Sequence, residues 1–375
     1  MNSTDGLKRV LAVAGENAGQ VDTDGAFPTA AVDALRSSGL LGLILPVEVG
    51  GLGAGPVEFT GVVGELAAAC GSTAMIYLMH AAAAVTVAAA PPPGMPELLP
   101  AMASGESLGT LAFSEKGSRS HFWAPVSTAA LSDDGNAVKL RADKSWVTSA
   151  GYADTYVVTA GSTSGVAGEV DMFAVPSSAA GLSVVAPFVG LGLRGNASSP
   201  MTIDATVPVT SRLGDQSAGF GLMMQTVLPW FNLGNAAVSL GLAGSAYAAA
   251  IAHVGAARLE HLGESLSALP TIRAQIARMG TALEAQRAYL NRAATSVGAP
   301  DDDTMIHVLG IKASANDAAL VITEAAMRVC GGAAFSKHLP IERAFRDARA
   351  GAVMAPTADV LYDFYGKAVT GLPLF

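Results

Sequence analysis

The sequence predicts an α+β protein in three parts, with helices over residues 1–108, short strands over 109–212 and helices again over 213–375. Helical spacing of apolar residues runs through the first hundred positions, stops at Gly109 and returns near Gly219. Between those points the chain divides into short segments rich in Val, Thr and Leu, punctuated by turn signals such as Asp133-Asp134-Gly135-Asn136. At 375 residues the chain exceeds what one core usually organises, so several units sharing interfaces are expected.

In the first part, apolar residues recur at helical spacing from Thr29 to Leu43, and Pro28 suits a first-turn position. Leu45 to Gly53 is a Pro/Gly loop, and Pro56 opens the next helix. An apolar helix from Ser72 to about Ala90 and a short one around Met95 to Ala103 follow. The middle segments, GTLAFSEKG, PVSTAALS, NAVKLRADKSWVT, DTYVVTA, EVDMFAVP, LSVVAPF and SSPMTIDATVP, read as an antiparallel sheet or barrel. Four helices are predicted after it: Gly219 to Ala257, Ala268 to Ser296, Thr304 to Val329 and Thr357 to Val369. Asp301, Asp302 and Asp303 precede the third, where carboxylates favour the positive end of the helix dipole.

Composition narrows the function. Hydrophobic residues are 51% and charged residues 14%, too few charges to cover a monomer of this size, so extensive burial in an oligomer is expected. A net charge of -9 without any Lys/Arg block argues against nucleic acid or an anionic membrane as partner. Cys70 and Cys330 lie far apart and form no CxxC or Cys/His cluster, which fits a reducing cytoplasm and offers no metal site. The N-terminus does not read as a signal peptide, because Gly15, Glu16 and Asn17 break its apolar stretch. Leu66 to Pro96 and Gln216 to Ala257 are uncharged and long enough to span a bilayer. His80 interrupts the first, Gln225, Asn232 and Asn235 the second, and both are expected to be buried helices rather than membrane spans.

Three stretches carry chemistry. LAFSEKGSRSH (Leu111 to His121) is a strand end with a glycine turn and hydroxyls, which offers amides and short donors to a polar ring or a phosphate. KSWVTSAGYAD (Lys144 to Asp154) puts Trp146 and Thr148 two residues apart, on one face of a strand. Cys330 to Thr357 joins Gly331-Gly332 to the Arg346-Asp347-Ala348-Arg349 run and ends at Ala355-Pro356-Thr357 before a last helix.

These motifs resemble those of the acyl-CoA dehydrogenase family, in order and along nearly the whole chain. The resemblance implies that family's fold: an N-terminal helical domain (1–108), a central antiparallel β-barrel (109–212) and a C-terminal four-helix bundle (213–375). It also implies FAD at the barrel–bundle junction. Phe113, Ser114 and their backbone would meet the flavin ring, Ser120 the pyrophosphate, Trp146 the isoalloxazine face and Thr148 its polar edge. Arg258, Gly331, Gly332 and Thr357 would complete the site, Arg258 together with Gly331 and Gly332 across a subunit boundary. The adenine motif is altered, with Pro270 at the usual Gln position, which raises FMN or a diffusible reduced flavin as alternatives.

The largest departure is the base. A Glu normally removes the substrate α-proton, and its position here is Ala355. A subset of the family carries that Glu on the first bundle helix, where this chain has Gly234 or Asn235. The remaining candidates are His80, His121, Asn235 and Asp359, the last being four residues, one helical turn, beyond Ala355. Three functions stay open. The first is desaturation of an acyl thioester, acyl-CoA or carrier-bound, with a non-standard base and an electron-transfer flavoprotein as partner. The second is a monooxygenase using O2 and reduced flavin from a flavin reductase on a small-molecule substrate. The third is an idle flavoprotein subunit paired with an active homologue.

Overall fold

A computed structural model describes residues 3–118 and 121–375. The first part holds α1 (Ser3–Asp24), α2 (Thr29–Ser38), α3 (Pro56–Ala69), α4 (Gly71–Ala89) and α5 (Leu98–Ser104). In α1 the buried residues Val10, Ala14, Ala18 and Val21 form one stripe, so the N-terminal stretch is an amphipathic helix. Helix α2 stops earlier than the apolar pattern, because Gly39 adopts φ +79 and ends it in the left-handed conformation. Helix α3 starts with Pro56 in its first turn, and the Glu58 carboxylate accepts the Gly55 N–H at 3.2 Å.

The middle part is two facing sheets. One runs in the order β1 (Gly109–Ala112), β4 (Thr155–Gly161), β5 (Val170–Pro176). The other runs β2 (Thr128–Leu131), β3 (Ala137–Val147), β7 (Ser199–Pro208), β6 (Leu182–Val184). All pairings are antiparallel as expected except β1 with β4, which is parallel. Val138, Leu140, Ala142, Ile203, Val158 and Phe173 alternate inward from both sheets and form the core between them. A bridge between Glu115, beyond β1, and Lys144 on β3 links the sheets along one side as a flattened barrel.

The last part begins with α6 (Gly219–Leu222), a π-helical turn (Met223–Val227) and α7 (Leu228–Ala256). The wide turn sits one turn before Pro229, whose ring would clash with the carbonyl of Gln225 in a regular helix. A small hairpin, β8 (Arg258–Leu259) with β9 (Glu264–Ser265), leads to α8 (Pro270–Gly298) and α9 (Thr304–Cys330). After α10 (Gly332–Phe335) come α11 (Ile341–Val353) and α12 (Ala358–Val369). Helices α7, α8 and α9 pack on one another, with α11 against α7 and α9 and α12 against α9. Helix α11 is the element that periodicity alone did not separate: Ile341, Ala344, Asp347, Ala348 and Gly351 form its buried face.

Helices Gly71–Ala89, Gly219–Ala256 and Thr304–Cys330 are long and apolar enough to cross a membrane, and 89% of the apolar window of the first is buried inside the protein. The polar interruptions foreseen in α7 tie it to α9: Asn232 donates to the carbonyl of Val308 at 3.0 Å, and the Asn235 and Asn316 amides lie 2.9 Å apart.

Candidate active site

A cavity of about 890 Å³ lies between the barrel and the helices that follow it. Its barrel wall begins where β1 ends. Phe113, Ser114 and Glu115 line it, with Phe122 stacked on Phe113 at a centroid distance of 6.3 Å. On β3 the alternation of buried residues holds through Ala142 and Lys144, then shifts register between Lys144 and Val147. That irregularity turns Trp146 outward, where it lines the cavity and remains 63% exposed. Thr148 lines the same wall, its hydroxyl 3.0 Å from that of Ser198.

Behind this wall Lys144 and Glu115 form an ion pair with both side chains fully buried. Lys144 also donates to the carbonyl of Thr159 at 2.7 Å, and the second Glu115 oxygen accepts the N–H groups of Val126 and Ser127 at 2.6 and 2.9 Å. Burial pulls Lys144 down to about 8 while Glu115 works against that shift. Every donor and acceptor of the pair is thus committed to structure.

The helical wall comes from the end of α11, the loop after it and the start of α12, including Val353, Met354, Ala355, Thr357 and Asp359. Val227, Leu228 and Phe231 from the π turn and α7 add an apolar side, and Met75 and Met79 of α4 another. Asp347 on α11 ties this wall to the loop before β7 by accepting the Leu193 N–H at 2.6 Å, and burial raises its carboxyl to about 6.

Of the residues singled out from sequence, Phe113, Ser114, His121, Trp146, Thr148, Ala355, Thr357 and Asp359 meet at this cavity. Ser120 lies outside the described residues. His80 is not among the lining residues: it is buried in α4, its Nδ1 accepts the Gly109 N–H at 3.0 Å, and Nε2 donates to the Leu41 carbonyl at 3.1 Å. Burial lowers it to about 4, so it is a neutral crosslink between the first helices and β1 with no nitrogen left for a substrate. Asn235 is buried behind the helical wall, its amide contacting Met354 Sδ at 3.4 Å. Arg258, on the β8–β9 hairpin, and Gly331 and Gly332, after α9, are exposed and are not among the residues lining the cavity. Gly331 has φ +53, a backbone state that favours glycine, and among the described residues none beyond its chain neighbours lies within 4 Å of where its Cβ would be.

Glu115, Asn196 and Ser198 also line the cavity, and Lys144 and Asp347 support its walls, places that the sequence motifs did not assign to them. Glu115 and Lys144 each sit inside a recognised motif, and opposite charges in two motifs that must meet were the available signal. Asp347 was visible as part of the Arg-Asp-Ala-Arg run.

The chain matches three acyl-CoA dehydrogenase family models: the N-terminal domain over residues 9–106, the middle domain over 110–206 and the C-terminal domain over 217–370. It is 30% identical over 349 residues to the mitochondrial short-chain specific acyl-CoA dehydrogenase of Homo sapiens, covering 92% of this chain and 83% of that one. Among solved structures, butyryl-CoA dehydrogenase from Megasphaera elsdenii superposes with a TM-score of 0.92 at 24% identity, covering 98% of each chain. The FAD complex of PigA superposes with a TM-score of 0.88 at 18% identity, covering 99% of this chain and 98% of that one. A three-part chain with this cavity at its barrel–helix junction, matched from end to end, belongs to the acyl-CoA dehydrogenase family and is an oxidoreductase of that type.

Proposed function

We propose that the protein binds FAD with its ring in the cavity and desaturates an acyl thioester, acyl-CoA or carrier-bound, between the α and β carbons. The observation that carries this reading is Trp146, a large apolar ring held 63% exposed on a cavity wall beside the Thr148 and Ser114 hydroxyls. An indole face flanked by short donors suits a flat heteroaromatic ring with a polar edge. The flavin, when bound, supplies the hydride acceptor for the β-hydrogen. The relatives' names, short-chain acyl-CoA and butyryl-CoA dehydrogenase, support a thioester substrate of modest length.

This chain's residues orient the acyl group, exclude water and take the α-proton. Met75, Met79, Val227, Leu228 and Phe231 supply the apolar surface. Among the described lining residues the carboxylates are Glu115 and Asp359. Glu115 is held by Lys144 and two backbone amides, so we assign the base to Asp359, on the first turn of α12 and exposed to the cavity. Arg258, Gly331 and Gly332 are exposed and do not line their own cavity, which supports a dimer or tetramer in which they serve a neighbour's flavin. An electron-transfer flavoprotein in the cytoplasm is the partner that fits this reading.

Anaerobic mixing with an acyl-CoA series tests it. Bleaching of the flavin band is expected for at least one chain length, and Asp359→Asn should slow it by roughly 10²- to 10⁴-fold. Inertness across the whole series would sink the desaturation reading. The methyl at Ala355 favours a second reading, a monooxygenase fed by a flavin reductase, with His121 as the histidine among the described lining residues. Label from ¹⁸O2 appearing in a product would establish that alternative, and its absence would reject it.

A further inference from the structure

Lys312 lies in the middle of α9 and is fully buried, yet among the described residues no carboxylate pairs with it. Its ammonium donates to three backbone carbonyls: Gly351 at 3.2 Å, Met354 at 3.1 Å and Pro356 at 2.9 Å. Asn316, one turn along α9, is best satisfied with its nitrogen toward the carbonyls of Lys312 and Gly351 and its oxygen toward the Ser239 hydroxyl at 2.7 Å. In that orientation the three ammonium protons match the three carbonyls, and the side chain has no further donor.

Those carbonyls are not scattered. Gly351 belongs to the last turn of α11, whose final carbonyls have no partner within the helix, and Met354 and Pro356 flank Ala355 on the cavity wall. The cation therefore sits at the negative end of α11 and draws inward the two peptide oxygens on either side of Ala355. Close packing permits this: a Cβ on Gly351 would lie 2.5 Å from the Asn316 amide and 2.7 Å from the Ser239 hydroxyl. Asn235 extends the same polar group from α7 to Met354 Sδ at 3.4 Å. The groups that face Lys312 from α7, α9 and α11 are amides, a hydroxyl and carbonyls. Burial alone takes Lys312 down to about 7, and the carbonyls act in the opposite direction by favouring its charged form.

We propose that Lys312 is a positioning residue that sets the shape of the cavity wall around Ala355, by holding the end of α11 and the following loop from behind. It touches neither cavity nor substrate. Its consequence for turnover rests on the desaturation reading, whereas its hold on the wall does not.

The test is hydrogen–deuterium exchange of the full-length, flavin-loaded protein as purified, with Lys312→Met and Lys312→Gln beside the wild type. Losing hydrogen bonds from a charged donor should speed exchange in peptides covering 350–360 by about tenfold or more in the Met variant. The Gln variant, which keeps amide donors, should speed it less, and α8 should exchange as in the wild type. With a thioester that bleaches the wild type, the same order should appear in kcat, with a smaller change in KM. Wild-type exchange over 350–360 in the Met variant, or acceleration spread equally into α8, would overturn the proposal. If the Met variant does not fold, the Gln variant is judged by the same criteria. A wild type inert to every thioester would refute the desaturation reading alone, and the exchange pattern would still decide the role of Lys312.

Discussion

The cavity's two walls each rest on a fully buried lysine, and the two are satisfied in opposite ways. On the barrel side Lys144 meets a carboxylate, Glu115, so the charge is neutralised and the pair crosslinks two strands. On the helical side Lys312 meets only carbonyls of the α11 end and the loop after it. A neutral buried pair locks its surroundings, and breaking it strands a charge. A lone cation solvated by backbone is instead tied to one conformation of that backbone. The barrel wall is thus rigid by charge pairing, and the helical wall by a conformational clamp.

The contrast breaks most sharply at Glu115. Glu115→Gln leaves the Lys144 ammonium buried without a counter-charge and should cost about 3–5 kcal/mol in chemical denaturation. A loss below about 1 kcal/mol would mean that the pair does not hold the barrel wall. Asp347, where the two walls join, comes next. Its folded carboxyl keeps its proton up to about 6 against an ordinary 3.8, so the folded state binds the extra proton between those values. Its contribution to stability is full below 3.8 and is lost as the pH rises through 6. Asp347→Asn keeps an oxygen for the Leu193 N–H and should remove that loss, making the variant more stable than the wild type at pH 7 by about 2–3 kcal/mol. Parallel stability curves for the two proteins between pH 4 and 7 would contradict it. The smallest effect on folding is expected at Trp146, whose exposed ring predicts a change within about 0.5 kcal/mol for Trp146→Ala. The same variant should release flavin on gel filtration, and full retention would remove the indole from the proposed site.

Much of this was legible before folding was considered. The order helices, strands, helices appears in the change of hydrophobic period, and eight of the residues proposed from motifs meet at one cavity. Those motifs are local, so spacing alone keeps Trp146 near Thr148 and Phe113 near Ser114. What escaped depends on distance along the chain. His80 was a candidate for chemistry until Leu41 and Gly109, which no pattern links to it, occupied both nitrogens. Strict alternation from Lys144 would bury Trp146 with it, and the register shift decides otherwise. Helix α11 was hidden inside a motif read for its charges.

The sequence by itself determined the three-part plan, the flavin-type motifs and the methyl at Ala355, because each is written in residue identity and short-range spacing. Tertiary structure alone decided which buried polar groups are spent on the fold and which face the cavity. Glu115 and Lys144 are 29 positions apart, and Lys312 and Pro356 are 44 apart. A buried donor must find an acceptor wherever the fold brings one, and only the packed chain shows where that is.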